Sequence, residues 1–205
     1  ALREGLMAAG REVIDIGQVP TPVMYFATHH LETGAGVAVT GSHNPAEYNG
    51  LKTIIGDRPL WGEGIQALGR RIEDDDLVEG TGTEHSLDVL DAYRDRIAGD
   101  VHLQRRLKVV VDCANGAAYR AAPEVLWELG AEVVALGTSP DGANINAGCG
   151  STQPQAAAEA VVAHGADVGL CLDGDADRIV LIDETGTVAD GDQLMALVAA
   201  RWAED

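Results

Sequence analysis

Short apolar runs alternating with helix-length stretches constrain this chain more than any other feature. The runs at 36–40 (GVAVT), 50–55 (GLKTII), 107–113 (LKVVVDC), 132–136 (EVVAL), 167–172 (DVGLCL) and 179–183 (IVLID) have the length and β-branched content of buried strands. Residues 22–31, 59–72, 87–97, 155–164 and 193–202 read as helices between or beside them, and Pro123 and Gly130 bracket one more. Such alternation gives an α/β protein whose strands are covered by helices. With only 4% aromatic residues and abundant Ala, Val, Leu and Gly, small aliphatic side chains must fill its cores. The expected architecture is two consecutive α/β domains with mixed, mostly parallel sheets sandwiched by helices. The chain opens on a helix at 2–9, closed by Gly10, followed by a strand at 12–16, so a preceding strand is expected upstream of residue 1. Residues 73–86 (EDDDLVEGTGTEHS) have the acidic, glycine-containing composition of a linker, which puts a boundary near Ser86.

Charge and cysteine content exclude several classes of function. A formal net charge of −19 repels nucleic-acid backbones and anionic lipids, so nucleic acid and membrane surfaces are not expected partners. The same field opposes any anionic substrate, which would need a local cationic pocket. Cys113, Cys149 and Cys171 are widely spaced and form no paired motif, which argues against a disulfide framework or a zinc site and fits a reducing, cytoplasmic setting. No apolar run approaches the ~20 residues needed to span a bilayer.

Two loops carry chemistry. The run GVAVT leads directly into Gly41-Ser42-His43-Asn44-Pro45, placing a hydroxyl at the carboxyl end of a strand expected to be parallel, where open α/β sheets build their sites. Gly41 permits a tight path and Pro45 stiffens the loop, which makes Ser42 a candidate nucleophile; the plainer alternative is a turn whose polar groups satisfy backbone. Lys52, inside GLKTII, is costly to bury unless it meets an anion, and otherwise points to solvent from an edge strand.

The second loop, Asp173-Gly174-Asp175-Ala176-Asp177-Arg178, crowds three carboxylates between two apolar strands. Their repulsion is relieved by a divalent cation, and all-oxygen ligation points to Mg2+ rather than zinc. An EF-hand is disfavoured because Arg178 occupies its glycine position and the flanks are strand-like; the plainer alternative is a solvated acidic turn without metal. A phosphate oxygen is a common additional ligand of such a cation, and phosphorylated Ser42 could supply it. With Lys52, Arg178 and His43, the cation would form the cationic pocket that an acidic protein lacks elsewhere. A serine hydrolase is disfavoured, since no G-x-S-x-G elbow is present.

These motifs resemble those of the α-D-phosphohexomutase family. Residues 40–45 (TGSHNP) look like its phosphoserine loop and residues 173–178 (DGDADR) like its metal loop. Residues 1 to about 100 are most similar to the phosphomannomutase/phosphoglucomutase branch. From about Lys108 onward, NINAGCGSTQP and VADGDQLMALVA are most similar to bacterial phosphoglucosamine mutase, a branch that usually has alanine where Gly41 stands. The resemblance implies domain 1 at 1–87, domain 2 at 88–189 and the start of domain 3 at 190–205, truncated at both ends. It also implies that Ser42 carries the phosphoryl group, that Asp173, Asp175 and Asp177, with phosphorylated Ser42, hold Mg2+, and that Lys52 stabilises charge or transfers protons. His43 and Arg178 would line the phosphate site. The implied reaction moves phosphate between the 1- and 6-hydroxyls of a hexose phosphate through a hexose 1,6-bisphosphate. The family's sugar-specificity and distal phosphate-binding loops have no counterpart in these residues, nor does an N-terminal arginine, so low activity is expected of this piece alone. A non-catalytic module that binds magnesium or sugar phosphate is the alternative.

Overall fold

The computed structural model describes residues 1–45, 47–56 and 58–203. Its first part runs α1 (Leu2–Ala8), β1 (Val13–Asp15), α2 (Thr21–His30), β2 (Ala35–Val39), β3 (Leu51–Ile55), β4 (Arg58–Pro59), α3 (Glu63–Glu73) and β5 (Glu84–Ser86). Its second runs α4 (Leu90–Asp100), β6 (Lys108–Asp112), α5 (Ala121–Glu128), β7 (Glu132–Leu136), α6 (Gln155–His164), β8 (Val168–Leu172), β9 (Ile179–Asp183) and β10 (Val188–Ala189), and α7 (Gly191–Trp202) follows. Asp190 caps α7 by accepting through its side chain from the Gln193 backbone N–H, and the Gln193 side chain in turn accepts from the Asp190 backbone N–H. Residues 204 and 205, the end of the stretch expected to open domain 3, lie outside the described residues.

Both parts are α/β, as the alternating pattern requires, and strand pairing is mixed. In the second part the sheet order is β10-β9-β8-β6-β7, with β6 parallel to both β7 and β8 and antiparallel pairings from β8 outward. Here β6 lies inside the sheet, between β8 and the edge strand β7. Its residues Val109, Val110 and Val111 are almost completely buried, as expected for a strand covered on both faces. In the first part β1 pairs parallel with β5, whereas β2, β3 and β4 form an antiparallel set.

The structure corrects the sequence reading at three places. The strand leading into Ser42 is antiparallel to β3; an apolar run reports burial, and its partner's direction is set by how the chain returns. The helix expected over 59–72 begins only at Glu63, because Arg58 and Pro59 pair with the end of β3 first. The stretch 73–86 is not wholly a linker, since Glu84–Ser86 forms β5 against β1.

Two cores hold these elements. One lies beneath α6 and is built from Val110, Ala157, Val161, Ala166, Cys171 and Ile182. The other joins the two parts: Val23 and Ala27 on α2 pack with Val89 and Leu90 at the start of α4 and with Ala121 on α5. This second core brings the N-terminus of α2 to the loop between β8 and β9. No helix among the described residues is long and apolar enough to cross a membrane.

Candidate functional site

The loop after β2 turns sharply. Ser42 adopts a left-handed backbone conformation with φ of 51°, which a residue bearing a Cβ occupies only when its surroundings impose it. Its N–H donates to Thr40 Oγ1 at 2.9 Å, and the Asn44 N–H donates to the Gly41 carbonyl at 2.9 Å. From across the molecule, Asn146 Nδ2 donates to the Ser42 carbonyl at 3.1 Å. These bonds aim Ser42 Oγ at Asp173 Oδ2, to which it donates at 2.8 Å although 131 residues separate the two in sequence.

The opposing loop joins β8 to β9 and carries Asp173, Asp175 and Asp177. One carboxylate oxygen from each lies within 4.8 Å of the others, and Asp173 and Asp175 are buried. Lys52, reaching over from β3, donates to Asp175 Oδ2 and Asp177 Oδ2, each at 2.5 Å. Burial disfavours its charge, but these two hydrogen bonds and the field of both carboxylates prevail and hold the Lys52 pKa above the ordinary lysine value. Lys52 is therefore a charged donor facing two carboxylates. Asp173 shifts upward, chiefly through burial, with the neighbouring carboxylates adding to the rise against the opposing Ser42 bond. Asp175 shifts the other way: burial would raise it, but bonds from Lys52 and Thr21 outweigh that effect.

His43 links the serine to Arg178. Its Nδ1 lies 3.3 Å from Ser42 Oγ, and its Nε2 lies 3.3 Å from an Arg178 guanidinium nitrogen. Arginine can only donate, so the geometry assigns Nε2 as acceptor and leaves the proton on Nδ1, directed at Ser42 Oγ. The serine hydroxyl therefore accepts from His43 and donates to Asp173.

All sequence-predicted site residues meet here, but two contributors went unpredicted. Thr21, the first residue of α2, donates through Oγ1 to Asp175 Oδ2 at 2.7 Å, and Asn146 braces the serine loop. They bond to residues 154 and 104 positions away, and no local pattern marks either. The donor set suits a hard cation. All the candidate ligands are oxygens, and Asp175 Oδ1 is a buried carboxylate oxygen without a hydrogen-bond partner.

The alpha/beta/alpha domain I of phosphoglucomutase/phosphomannomutase matches residues 1–78, and domain II matches residues 91–186. The chain belongs to the phosphoglucomutase/phosphomannomutase family. Among curated relatives, the phosphoglucosamine mutase of Ruegeria sp. (strain TM1040) is 52% identical over 215 residues, covering 100% of this chain and 48% of the relative. The phosphoglucosamine mutase of Jannaschia sp. (strain CCS1) is 50% identical over 213 residues with the same coverage. The chain thus spans about half the length of the curated relatives it matches. A crystal structure of a phosphoglucomutase/phosphomannomutase family protein from Burkholderia thailandensis superposes with a TM-score of 0.84 at 39% identity, covering 91% of this chain and 43% of that one. The fold is shared with a phosphomannomutase-like structure from Thermus thermophilus, at a TM-score of 0.79 and 24% identity, covering 98% of this chain and 48% of that one. Membership in this family accords with the two motifs from which the phosphohexomutase resemblance was read.

Proposed function

We propose that this chain carries the phosphoryl-accepting serine and the metal loop of a phosphohexose mutase, with glucosamine phosphate, or mannose and glucose phosphates, as the substrate class. The observation that carries this reading is the 2.8 Å bond from Ser42 Oγ to Asp173 Oδ2, which joins a nucleophile-type hydroxyl to a triad of carboxylates. Asp173, Asp175 and Asp177 would hold Mg2+, with an oxygen of phosphorylated Ser42 as a further ligand, and the ion would offset negative charge on the transferring group.

The chain's own residues account for the remaining requirements. In the forward step a sugar hydroxyl oxygen gives up its proton as it bonds to phosphorus, the bond from phosphorus to Ser42 Oγ breaks, and Oγ takes up a proton, so that on balance the sugar's proton ends on Oγ. His43 Nδ1 faces Ser42 Oγ, and the Lys52 ammonium is held on Asp175 and Asp177 of the opposing loop; both would offset charge developing on Oγ and on the phosphoryl oxygens. In the return step phosphorus bonds again to Ser42 Oγ, which must shed its proton as the sugar oxygen departs. Asp173 Oδ2, already accepting that proton in a hydrogen bond, is positioned to receive it. Arg178, held by His43 Nε2, presents a guanidinium to the substrate phosphate.

Intact-mass analysis after incubation with a hexose 1,6-bisphosphate and Mg2+ tests this reading. One phosphoryl group is expected, located at Ser42 by peptide fragmentation, and Ser42→Ala should take up none. Label on a different residue, or undiminished label in Ser42→Ala, would overturn the assignment.

A further inference from the structure

Thr21 is far from the aspartate loop in sequence and sits between Pro20 and Pro22, yet it grips that loop through both side chain and main chain. Its side chain donates to Asp175 Oδ2 at 2.7 Å, and its backbone N–H donates to the Asp175 carbonyl at 2.9 Å. Side chain and main chain of one residue therefore fix both ends of Asp175. Thr21 is 1% exposed and Asp175 4% exposed, so water does not compete for these bonds. Pro20 and Pro22 restrict the backbone on either side, and the α2 core of Val23 and Ala27 anchors the helix that follows.

The distribution of bonds over the Asp175 carboxylate gives this contact a chemical meaning. Oδ2 receives both Thr21 Oγ1 and Lys52 Nζ, whereas Oδ1 is buried and receives nothing. A buried carboxylate oxygen left unbonded is costly, and a cation ligated there removes that cost. A carboxylate free to rotate could exchange its two oxygens. Thr21 prevents this by tying Oδ2 to a rigid helix start.

We propose that Thr21 is a positioning residue for the metal centre: by holding Asp175 Oδ2 it fixes the carboxylate so that Oδ1 remains as the cation ligand. The inference rests on the metal reading given above, and it assigns to the first part of the chain a direct share in building a cation site whose carboxylate ligands all lie in the second. Hydrogen-bond partners of metal ligands commonly govern affinity by about 10- to 100-fold on removal.

The test compares Mn2+ binding, by electron paramagnetic resonance of free ion and by titration calorimetry, in the wild-type chain, Thr21→Ser and Thr21→Val. Thr21→Val keeps the branched shape without the hydroxyl, and Thr21→Ser keeps the hydroxyl alone. The expected result is affinity lowered about tenfold or more in Thr21→Val and restored in Thr21→Ser. Melting in EDTA, where no cation contributes, reports the purely structural effect of each change. Should Thr21→Val fail to fold by circular dichroism, Thr21→Ala carries the same comparison. Wild-type affinity in the folded hydroxyl-free variant, or a loss that serine fails to restore, would overturn the role of Thr21 while leaving the metal reading intact. Absence of Mn2+ binding by the wild-type chain would overturn both.

Discussion

Lys52 behaves as an internal counter-ion. Its ammonium touches two of the three carboxylates, and the hydrogen bonds keep it protonated despite partial burial. Replacing it by Met leaves Asp175 and Asp177 facing each other without that compensation. In EDTA the Lys52→Met variant should lose about 2 kcal/mol, from hydrogen bonds between charged groups. For a chain of this size that corresponds to a fall of roughly 4–8 °C in melting temperature, measured by calorimetry. Added Mg2+ should recover part of the difference, because a divalent cation answers the same charges. The pH dependence follows from the direction of the shift. A folded-state pKa raised above 10.5 means that the stabilisation is fully present below the ordinary lysine value and is lost only as pH rises through the folded value. The gap between wild type and variant should thus be flat through neutral pH, narrow in strong alkali as Lys52 loses its proton, and narrow again in acid as Asp175, held down by Lys52, takes one up. The cysteines yield a second residue-scale prediction. Burial, aided by the charge of Asp112, pushes the Cys113 and Cys171 thiols up to about 12. At neutral pH they carry almost no thiolate, so iodoacetamide should reach half-buried Cys149 first and the other two only on unfolding, as peptide mass spectrometry would register.

Among elements, the site depends on two loops packed more tightly than a methyl group allows. A Cβ on Gly174 would stand 2.7 Å from the Ser42 carbonyl and 2.7 Å from Ile145 Cγ2. Gly174→Ala should therefore push the serine loop off the aspartate loop while leaving the strands intact. We expect phosphoryl uptake at Ser42 to fall at least tenfold with far-UV circular dichroism unchanged; uptake at the wild-type level would show that the loops tolerate separation. A Cβ on Gly41 would meet the Tyr48 carbonyl at 2.9 Å, so an alanine there would require this loop to shift. The same scale shows what the sequence could and could not reveal. Strands β2, β3, β6, β7, β8 and β9 and helix α6 were legible because each is long enough to leave an apolar run or a helix-length stretch between turn residues, most completely in β6, which is buried along almost its whole length. Strands β4, β5 and β10 were not, since they are two or three residues long and mostly exposed, which leaves no periodicity to read. Ser42, Lys52 and the aspartates stood out because each is expensive where it lies unless it meets a partner. Thr21 and Asn146 did not, because a threonine between prolines and an asparagine in a loop are ordinary turn residues until the fold brings them to their acceptors.

For the molecule as a whole, the carboxylates come from the second part, whereas Ser42, Lys52 and Thr21 come from the first, so the site exists only while the two parts are docked. The seam that docks them is the core of Val23, Ala27, Val89, Leu90 and Ala121, in which Val23 is completely buried. This shared core joins α2 to α4 and α5. Val23→Ala removes buried aliphatic surface at the seam without touching any polar site residue, at an expected cost of about 2 kcal/mol. If the seam couples the parts, calorimetry of the wild type shows one transition, and Val23→Ala lowers it as a unit. Mn2+ affinity at temperatures well below that transition should stay near wild type, because Thr21 and the aspartates keep their contacts as long as the parts remain docked. Two separate transitions in the wild type, with Val23→Ala shifting only the one that includes α2, would mean that the parts fold independently and that the site assembles by docking of preformed units. The apolar packing across α2 favours the first outcome, since detaching either part would expose Val23, Val89 and Leu90 to water together.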